Sequence, residues 1–248
     1  MKTYRADLHV HTVLSPCAGV EMIPPLIVQE ALSRNIDLIA ITDHNASANI
    51  AAVQKAAQNT PLIVLPGMEL QTEEDVHSLC LFDTLEQIEA FQAYINTKLP
   101  PIKNKPDFFG EQFMVDETGD FIRREEQLLI LSANISLKEA QRIVAGLDGL
   151  FIPAHINRKA FGLFSHLGML PDDMTIDALE VSRHISLKEA VQKYPGIQEY
   201  ALIQNGDVHF LADFLGVTLL HIAAPTIAEI RLALKNLDGR SLENLPAA

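Results

Sequence analysis

Short apolar, β-branched runs alternate with helical patterns along this chain, and the alternation constrains the fold more than any other feature of the sequence. It is typical of a parallel sheet with helices outside it. The length of 248 residues suits a single domain over residues 1–248, built as a closed barrel or, alternatively, as an open doubly wound sheet. We predict strands at 4–10, 37–42, 62–65, 78–82, 149–153, 178–181, 201–204 and 217–222, and helices at 24–34, 46–58, 85–98, 137–147, 187–193 and 227–237.

Local signals mark where helices begin and where the alternation is interrupted. Four predicted helices start with a hydroxyl residue that precedes Glu or Gln by three positions, which is the pattern of a capping box. The four pairs are Thr84/Gln87, Ser136/Glu139, Ser186/Glu189 and Thr226/Glu229. The segment 99–127 is rich in proline and breaks the alternation. We interpret it as an inserted excursion, either a lid or a surface loop with a small hairpin.

The chain is strongly acidic, with 19 basic residues against 32 acidic ones and a net charge of −13. Such a surface repels a phosphate backbone, so the composition disfavours duplex nucleic acid as a partner. Two cysteines, Cys17 and Cys80, do not make a disulfide framework. The N-terminus has no apolar signal core, and no apolar run approaches the roughly 20 residues of a membrane span. We therefore expect a cytoplasmic protein without a membrane partner.

Imidazoles and carboxylates recur at the C-terminal ends of the apolar runs. In parallel α/β folds these ends converge on one face, where active sites are built. A single histidine in such a place is more often a satisfied core or loop residue, but joint occurrence at six run ends indicates a common site. The segments are D-L-H-V-H from Asp7, T-D-H ending at His44, G-M-E ending at Glu69, P-A-H ending at His155, R-H ending at His184 and N-G-D-V-H ending at His209.

Two of these segments have the spacing of metal ligands on a strand. Residues i and i+2 of a strand project to the same face, so His9 and His11 can reach one metal ion, and Asp207 and His209 repeat the spacing. Imidazoles mixed with carboxylates suit zinc, manganese or iron better than calcium. The ligands exceed what one ion needs, which predicts a multinuclear site. Paired ions suit phosphoryl chemistry because they clamp phosphate oxygens and deprotonate a bound water near neutral pH.

Taken in order, D-L-H-V-H-T, I-T-D-H-N, G-M-E-L, P-A-H and N-G-D-V-H resemble the motifs of the PHP family, named for polymerase and histidinol phosphatase. The motifs run from Asp7 to His209 and so cover nearly the whole chain. The resemblance implies an α/β fold, a distorted (β/α)7 barrel of the PHP type, with the excursion around 99–127 inserted. It also implies two or three divalent metal ions (Zn, Mn or Fe) at the C-terminal mouth of the barrel.

The resemblance further implies a ligand set for each metal position. The first ion takes His9, His11, Glu69 and Asp207. Glu69 bridges to a second ion, which is held by His77 and His155. His44 and His209 hold a third ion, at which several relatives add a histidine that this chain replaces with Cys17. A thiolate is a competent zinc ligand, so Cys17 is either a softer ligand of the third ion or a small buried thiol.

Side chains beside these motifs have candidate roles of their own. Asp7 and Asp43 flank ligands and can orient their imidazoles, and direct contact with a metal is open for Asp43. Arg158 and Arg183 are either phosphate clamps or ordinary salt-bridge residues, because an arginine fork suits a phosphate group. His184 is either a proton donor to the leaving group or an exposed residue at a helix start.

The leading hypothesis is an enzyme that hydrolyses a phosphomonoester of a small metabolite or nucleotide by a metal-bound hydroxide. The alternative keeps the site but changes the substrate, giving a phosphodiesterase or nuclease that acts on short nucleic acid or a nucleotide diester. A second alternative is a non-catalytic metal-binding regulatory module. The acidic composition favours the small-molecule phosphoester, and the completeness of the ligand set argues against a module that has lost its activity.

Overall fold

The computed structural model describes residues 1–246 and contains every strand and helix predicted above, with somewhat different ends. The strands are β1 (Lys2–Val10), β2 (Leu38–Ile41), β3 (Ile63–Gln71), β4 (His77–Leu81), β5 (Phe113–Val115), β6 (Phe121–Arg124), β7 (Leu150–Pro153), β8 (Ala178–Glu180), β9 (Ala201–Ile203), β10 (Thr218–Ile222) and β11 (Ser241–Asn244). The helices are α1 (Pro24–Ser33), α2 (Ile50–Ala57), α3 (Leu85–Asn96), α4 (Pro106–Phe109), α5 (Leu137–Gly146), α6 (Leu163–Leu167), α7 (Leu187–Lys193) and α8 (Ile227–Leu234). The alternation in the sequence therefore identified the main elements.

Seven strands form one sheet in the order β11-β10-β1-β2-β3-β4-β7. Strands β1, β2 and β3 pair in parallel, but the other pairs of this sheet are antiparallel. The expectation of a parallel sheet throughout was therefore wrong. For β3 and β4 the reason is local, because only residues 72–76 link them and so short a link cannot cross over to a parallel position.

The sheet curls, and the parallel pair β8–β9 fills the gap between its ends. On one side the backbone N–H of Ile156 donates to the carbonyl of Glu180, which joins the end of β7 to β8. On the other side Val208, after β9, forms a parallel bridge with Val10 of β1. The α/β class and this barrel-like curl agree with the distorted barrel expected from the resemblance. Within residues 1–246 the strands do not close into one regular (β/α)7 ladder.

Strand side chains alternate between two apolar clusters. In β2, Leu38 and Ala40 belong to an inner cluster formed by strands and α8, whereas Ile39 and Ile41 belong to an outer cluster under the other helices. Both faces of such strands are buried, which is why they read as continuous apolar runs in the sequence. Two apolar layers thus fix the strand ends that carry the polar segments.

Two of the four predicted capping boxes form in full, those of Thr84/Gln87 and Ser186/Glu189. At Ser136 and Thr226 only the hydroxyl half forms, because the carboxylate three positions later has another partner. Glu139 accepts a hydrogen bond from the Tyr94 hydroxyl at 2.6 Å, and Glu229 pairs with Arg240. Tertiary partners therefore overrode the local motif at two helix starts.

The inserted segment 99–127 contains α4 and the β5–β6 hairpin, so the prediction of a loop with a small hairpin is confirmed. It packs on the loop that follows β1, where the backbone N–H of Phe113 donates to the carbonyl of Val13 at 2.9 Å. Gly110, at φ +100°, approaches this loop so closely that a Cβ atom would lie 2.2 Å from the Pro16 carbonyl oxygen. The insert thus supports the loop that carries Cys17. Its role as a lid stays a prediction.

Phe82 gives a prediction on stability. Its side chain is fully buried and packs on Phe91, with the ring centroids 5.4 Å apart. Phe82→Ala is expected to lower the free energy of unfolding by about 3–5 kcal/mol, because it removes buried apolar area and leaves a cavity. Urea unfolding followed by circular dichroism measures the change. The control is Phe121→Ala, at a side chain that is 58% exposed, which is expected to change stability by less than about 0.5 kcal/mol. Equal effects of the two substitutions would contradict the packing described here.

Candidate metal centre

The polar strand ends meet in one cluster at the edge of the curled sheet. His9 is the penultimate residue of β1 and His11 lies just beyond its end, His44 follows β2, and Glu69 lies in β3 opposite His44. The remaining members are His77 at the start of β4, His155 after β7, and Asp207 and His209 after β9. His155 and Asp207 have left-handed backbones (φ 28° and 49°), a strained conformation that proteins concentrate at functional sites. The structure therefore brings together all eight histidine and carboxylate ligands predicted from the sequence.

Glu69 is the centre of the cluster. Its carboxylate is 1% exposed and contacts five imidazoles. Oε1 lies 2.8 Å from His77 Nδ1 and 3.0 Å from His155 Nε2, whereas Oε2 lies 2.9 Å from His44 Nδ1. Burial alone raises the pKa of Glu69, but the surrounding imidazoles outweigh burial and hold this pKa well below its usual value. Glu69 is therefore ionised and can bridge two cations.

The first predicted ligand group has the dimensions of a metal site. His9 Nε2 lies 3.3 Å from Glu69 Oε1 and 3.3 Å from Asp207 Oδ1. His11 Nε2 lies 3.4 Å from Glu69 Oε2 and 3.6 Å from Asp207 Oδ1. A tetrahedron around zinc with bonds of about 2.0–2.2 Å has edges of about 3.3–3.6 Å. Each imidazole thus stands at the separation of a metal site from Asp207 Oδ1 and from one Glu69 oxygen, Oε1 for His9 and Oε2 for His11.

Buried polar atoms without partners point to the same group. His9 Nε2, His11 Nε2, Glu69 Oε2 and Asp207 Oδ1 are all buried and have no hydrogen-bond partner among the described residues. An unpaired buried donor or acceptor costs about 1–3 kcal/mol, and native proteins rarely keep several together. A cation between these atoms satisfies all four, so the residues present fit a bound divalent metal ion.

Two further groups adjoin the first. Donor atoms of His44, Glu69 and His77 lie within 4.8 Å of one another, and so do those of His11, His44 and His209. Cys17 lies beside His44 and His209 and is exposed, so it is not the small buried thiol of the alternative interpretation. Loss of water around the sulfur atom opposes ionisation of the Cys17 thiol although the residue as a whole is exposed, but His44 and His209 outweigh this effect and lower the thiol pKa to about 6. The cluster can therefore hold more than one cation.

A second layer of polar groups contacts the imidazoles. Glu180, which the sequence analysis passed over, is buried and lies 3.1 Å from His9 Nδ1 through each of its oxygens. Gln71 Oε1 lies 3.3 Å from His77 Nε2. Partners on the far ring nitrogen fix the orientation and tautomer of metal-binding histidines. One feature of the sequence could have identified Glu180: it is a charged residue at the end of the apolar run A-L-E. We instead selected Arg183 and His184, which follow three and four positions later.

Asp43 acts on the cluster through a hydroxyl. Asp43 Oδ1 accepts hydrogen bonds from the Thr12 backbone N–H and the Ser15 hydroxyl, each at 2.7 Å. Asp43 Oδ2 accepts a hydrogen bond from the Thr12 hydroxyl. Ser15 Oγ in turn lies 2.9 Å from His11 Nδ1. Both oxygens of Asp43 are therefore engaged with the loop after β1, and Asp43 reaches His11 through Ser15.

Asp7 holds the loop that carries Asp207. Its two oxygens accept backbone hydrogen bonds from Gly206 at 3.0 Å, Leu215 at 2.8 Å and Gly216 at 3.3 Å. Burial raises the pKa of Asp7 to about 6, although these hydrogen bonds oppose the rise. Asp7 thus orients a backbone segment, whereas the sequence led us to expect contact with an imidazole.

A cavity of about 260 Å³ opens onto the cluster. Six of the eight predicted ligands line it, all but His9 and His11, together with Cys17, Gln71, Ile130, Arg158 and Phe161. The guanidinium of Arg158 pairs with Asp207 Oδ2 at 2.5 Å, so its charge already lies at the centre. The Phe161 ring stacks on His77 at an interplanar angle of 2° and a centroid distance of 4.4 Å. The Arg158 guanidinium, an apolar wall and the cluster of predicted ligands therefore all face this cavity.

Arg183 and His184 lie elsewhere. The guanidinium of Arg183 pairs with the Asp213 carboxylate at 2.7 Å and also donates to the Asp213 carbonyl at 2.9 Å. Both residues line a different cavity, beside Ser186 and Leu245. The structure therefore does not bring them to the ligand cluster, and their roles as phosphate clamp and proton donor stay predictions.

Comparisons with known proteins address the family. A family model of the PHP domain matches residues 7–147, which is more than half of the chain. A search of curated protein sequences with this chain found no match. The matched segment contains five of the eight clustered residues, from His9 to His77, together with Cys17, while His155, Asp207 and His209 lie beyond it.

Solved structures share the fold. The lesion-specific endonuclease EndoQ from Pyrococcus furiosus has a TM-score of 0.73 and 21% identity over 97% of this chain. Endonuclease Q bound to a 27-mer duplex with an abasic lesion at its active site has a TM-score of 0.69 and 20% identity, again over 97% of the chain. This chain spans 58% of the length of each. A protein from Bifidobacterium adolescentis, thought to be a metal-dependent phosphoesterase, has a TM-score of 0.55 and 19% identity over 83% of this chain and 87% of its own.

These findings correct one expectation and bear on another. Endonuclease Q, of which this chain spans 58%, was solved with a 27-mer duplex substrate, so our expectation that duplex nucleic acid is disfavoured does not hold for every protein with this fold. Local charge and bound cations, which net charge does not count, decide such contacts. Among the helices of residues 1–246, none is both long and apolar enough to cross a membrane.

Proposed function

The chain belongs to the PHP domain family, and on this premise we propose that it is a phosphoesterase that hydrolyses the phosphomonoester of a small metabolite or nucleotide. One observation carries the proposal: four buried donor atoms without partners lie on His9, His11, Glu69 and Asp207, whose ligand atoms lie within 4.8 Å of one another, and a cavity opens onto this cluster. The cavity holds about 260 Å³, slightly below the range of about 300–1,000 Å³ for small-molecule sites, so it suits a phosphoryl group with a compact leaving group.

The proposal assigns the ligands as the sequence analysis did. His9, His11, Glu69 and Asp207 hold a first divalent ion, His77 and His155 hold a second with Glu69 as the bridge, and His44, His209 and Cys17 hold a third. Zinc, manganese and iron all suit this donor set, and the thiol of Cys17 favours zinc at the third position. Bound ions supply Lewis acidity for the phosphate oxygens and activate a water molecule near neutral pH.

The protein itself contributes charge, orientation and an apolar wall. Arg158 extends over the cavity and is partly exposed, so its fork can bind a phosphate group while remaining close to Asp207. Phe161 and Ile130 form the apolar side of the cavity and can contact the leaving group. The carboxylates of Glu69 and Asp207 line the same cavity and repel a phosphate group unless cations neutralise them. We therefore expect phosphate binding to depend on bound metal.

A second candidate function is phosphodiester hydrolysis on nucleic acid. It is favoured by the likeness to endonuclease Q, which covers 97% of this chain. Against it stands the lack of a Lys/Arg-rich tract in the sequence, because phosphate-backbone binding depends on clustered Lys and Arg.

One experiment separates the two functions. Manganese-loaded protein is given 4-nitrophenyl phosphate and bis(4-nitrophenyl) phosphate, with the release of nitrophenol as the measurement. The proposed function predicts faster turnover of the monoester. Faster turnover of the diester would replace it with the second candidate. Asp207→Asn, which removes the ligand charge and keeps the size of the side chain, is the control, and activity that survives it unchanged would exclude this centre as the source.

A further inference from the structure

Glu180 is a buried carboxylate that touches the proposed centre without reaching its cavity. The side chain is 1% exposed and is absent from the cavity lining, so substrate cannot contact it. It lies at the end of β8, between the end of β1 and the end of β7. A carboxylate buried this deeply is costly unless donors surround it, so its partners indicate why it is there.

Three donors converge on the two oxygens of Glu180. The Asn205 amide donates to Oε1 at 2.7 Å, the backbone N–H of His155 donates to Oε2 at 2.8 Å, and the ring nitrogen Nδ1 of His9 lies 3.1 Å from both oxygens. An ionised carboxylate can only accept hydrogen bonds. His9 therefore acts as the donor in this contact and carries its proton on Nδ1.

The orientation of Asn205 supports this assignment. Its Oδ1 atom accepts the backbone N–H of Leu8 at 2.8 Å, which leaves its NH₂ group to face Glu180. Asn205 thereby ties β1 to the segment before Asp207 and presents a donor to the carboxylate. The position of Glu180 is thus fixed by groups from three separate parts of the chain.

Two consequences follow for the proposed ligands. With a proton on Nδ1, the lone pair of His9 is on Nε2, the atom that faces Glu69 and Asp207. The bond from the His155 backbone also holds that residue at φ +28°, a conformation that non-glycine residues rarely adopt. One carboxylate therefore orients a ligand of the first ion directly and a ligand of the second ion through its backbone.

We propose that Glu180 is a positioning residue that fixes the Nδ1–H tautomer of His9 and the backbone of His155, and so sets the affinity of the centre for divalent metal. The inference rests on the proposed metal centre. Replacing such a partner of a metal-bound histidine typically weakens metal binding by about 10–100-fold.

The test compares Glu180→Gln with wild type. The glutamine has nearly the same shape, but one of the two carboxylate oxygens becomes an NH₂ group. That NH₂ group then faces either the Asn205 amide or the His155 N–H, as well as His9, donor to donor, because these groups donate to different oxygens of Glu180. Zinc titration in competition with a chromogenic chelator is expected to show about 10–100-fold weaker binding of the first ion. Turnover of 4-nitrophenyl phosphate is expected to fall at low metal concentration and to recover as metal is added, which a purely structural defect would not allow.

Asp177→Asn is the matched control, because Asp177 is a partly buried carboxylate just before β8 that pairs with Arg231 and Lys235 and lies outside the centre. Its zinc affinity is expected to equal that of wild type. Equal zinc affinities for Glu180→Gln and wild type would overturn the inference, whatever the activity. Wild-type protein that binds zinc tightly but hydrolyses no phosphoester would contradict the proposed function and leave this comparison of affinities valid.

A measurement on wild type decides the matter if Glu180→Gln does not fold. Zinc-loaded protein with ¹⁵N-labelled histidine reports the protonated ring nitrogen of each imidazole by NMR. The inference predicts the His9 proton on Nδ1 and none on Nε2. A proton on Nε2 of His9 would overturn it.

Discussion

Glu69→Gln is expected to reduce phosphate release by about a thousandfold or more. Glu69 is the only residue of the described chain that contacts five imidazoles of the cluster, and the proposal makes it the bridge between two ions. Metal ions at such a centre stabilise the charge of the transition state by several kcal/mol, and each 1.4 kcal/mol corresponds to about a tenfold change in rate. The amide is neutral and bridges cations poorly, so the expected loss includes the contribution of both ions.

The measurement is turnover of 4-nitrophenyl phosphate together with the number of zinc ions bound per chain. Glu69→Gln is expected to bind fewer ions than wild type even when zinc is in excess. Glu73→Gln is the matched control, because it makes the same chemical change at an exposed position four residues further along. Activity of Glu69→Gln within about tenfold of wild type would be incompatible with a bridging role for this carboxylate.

Removal of metal is expected to lower the melting temperature by about 10 °C. A ligand present at 1,000 times its Kd stabilises the native state by about 4 kcal/mol, and each kcal/mol shifts Tm by about 2–4 °C for a domain of this size. The physical reason lies in the cluster, where five buried histidines and the partly buried His209 crowd two carboxylates. Without cations, burial and the repulsion of His209 and His44 hold the pKa of His11 well below its usual value, and several polar atoms stay unpaired.

Differential scanning calorimetry of chelator-treated protein, with and without added zinc, measures this shift. The Tm of wild type is expected to rise with the logarithm of the free zinc concentration, because stabilisation by a bound ligand follows mass action. The Tm of Glu69→Gln, the matched control, is expected to depend much less on zinc. A wild-type Tm that is the same in chelator and in zinc would show that the cluster gains no stability from metal.

Two features of the sequence identified most residues of the candidate metal cluster. Strands buried on both faces read as apolar runs, and a polar residue at the end of such a run is conspicuous. His9, His44, Glu69 and His155 were found in this way. Cys17 was recognised only through the family resemblance, because the loop that carries it has no periodic pattern.

Arg183 shows where the same reasoning was insufficient. It stands near the end of an apolar run like the ligands, yet Asp213 draws its guanidinium into another cavity. Arg158, which has the same chemical character, reaches the cluster, where its guanidinium pairs with Asp207. The position of a residue along a strand does not decide the direction of a long, flexible side chain in the loop that follows.

The sequence by itself determined the alternation of elements and the residues of the candidate metal cluster, because periodicity and residue chemistry are local properties of the chain. Only the tertiary structure decided the antiparallel pairs, the distances between donor atoms and the second layer of Glu180, Asn205 and Gln71. These depend on contacts between residues far apart in the chain, such as His9 and Glu180, which are 171 positions apart. Such contacts exist only once the strands have curled, and no local pattern records them.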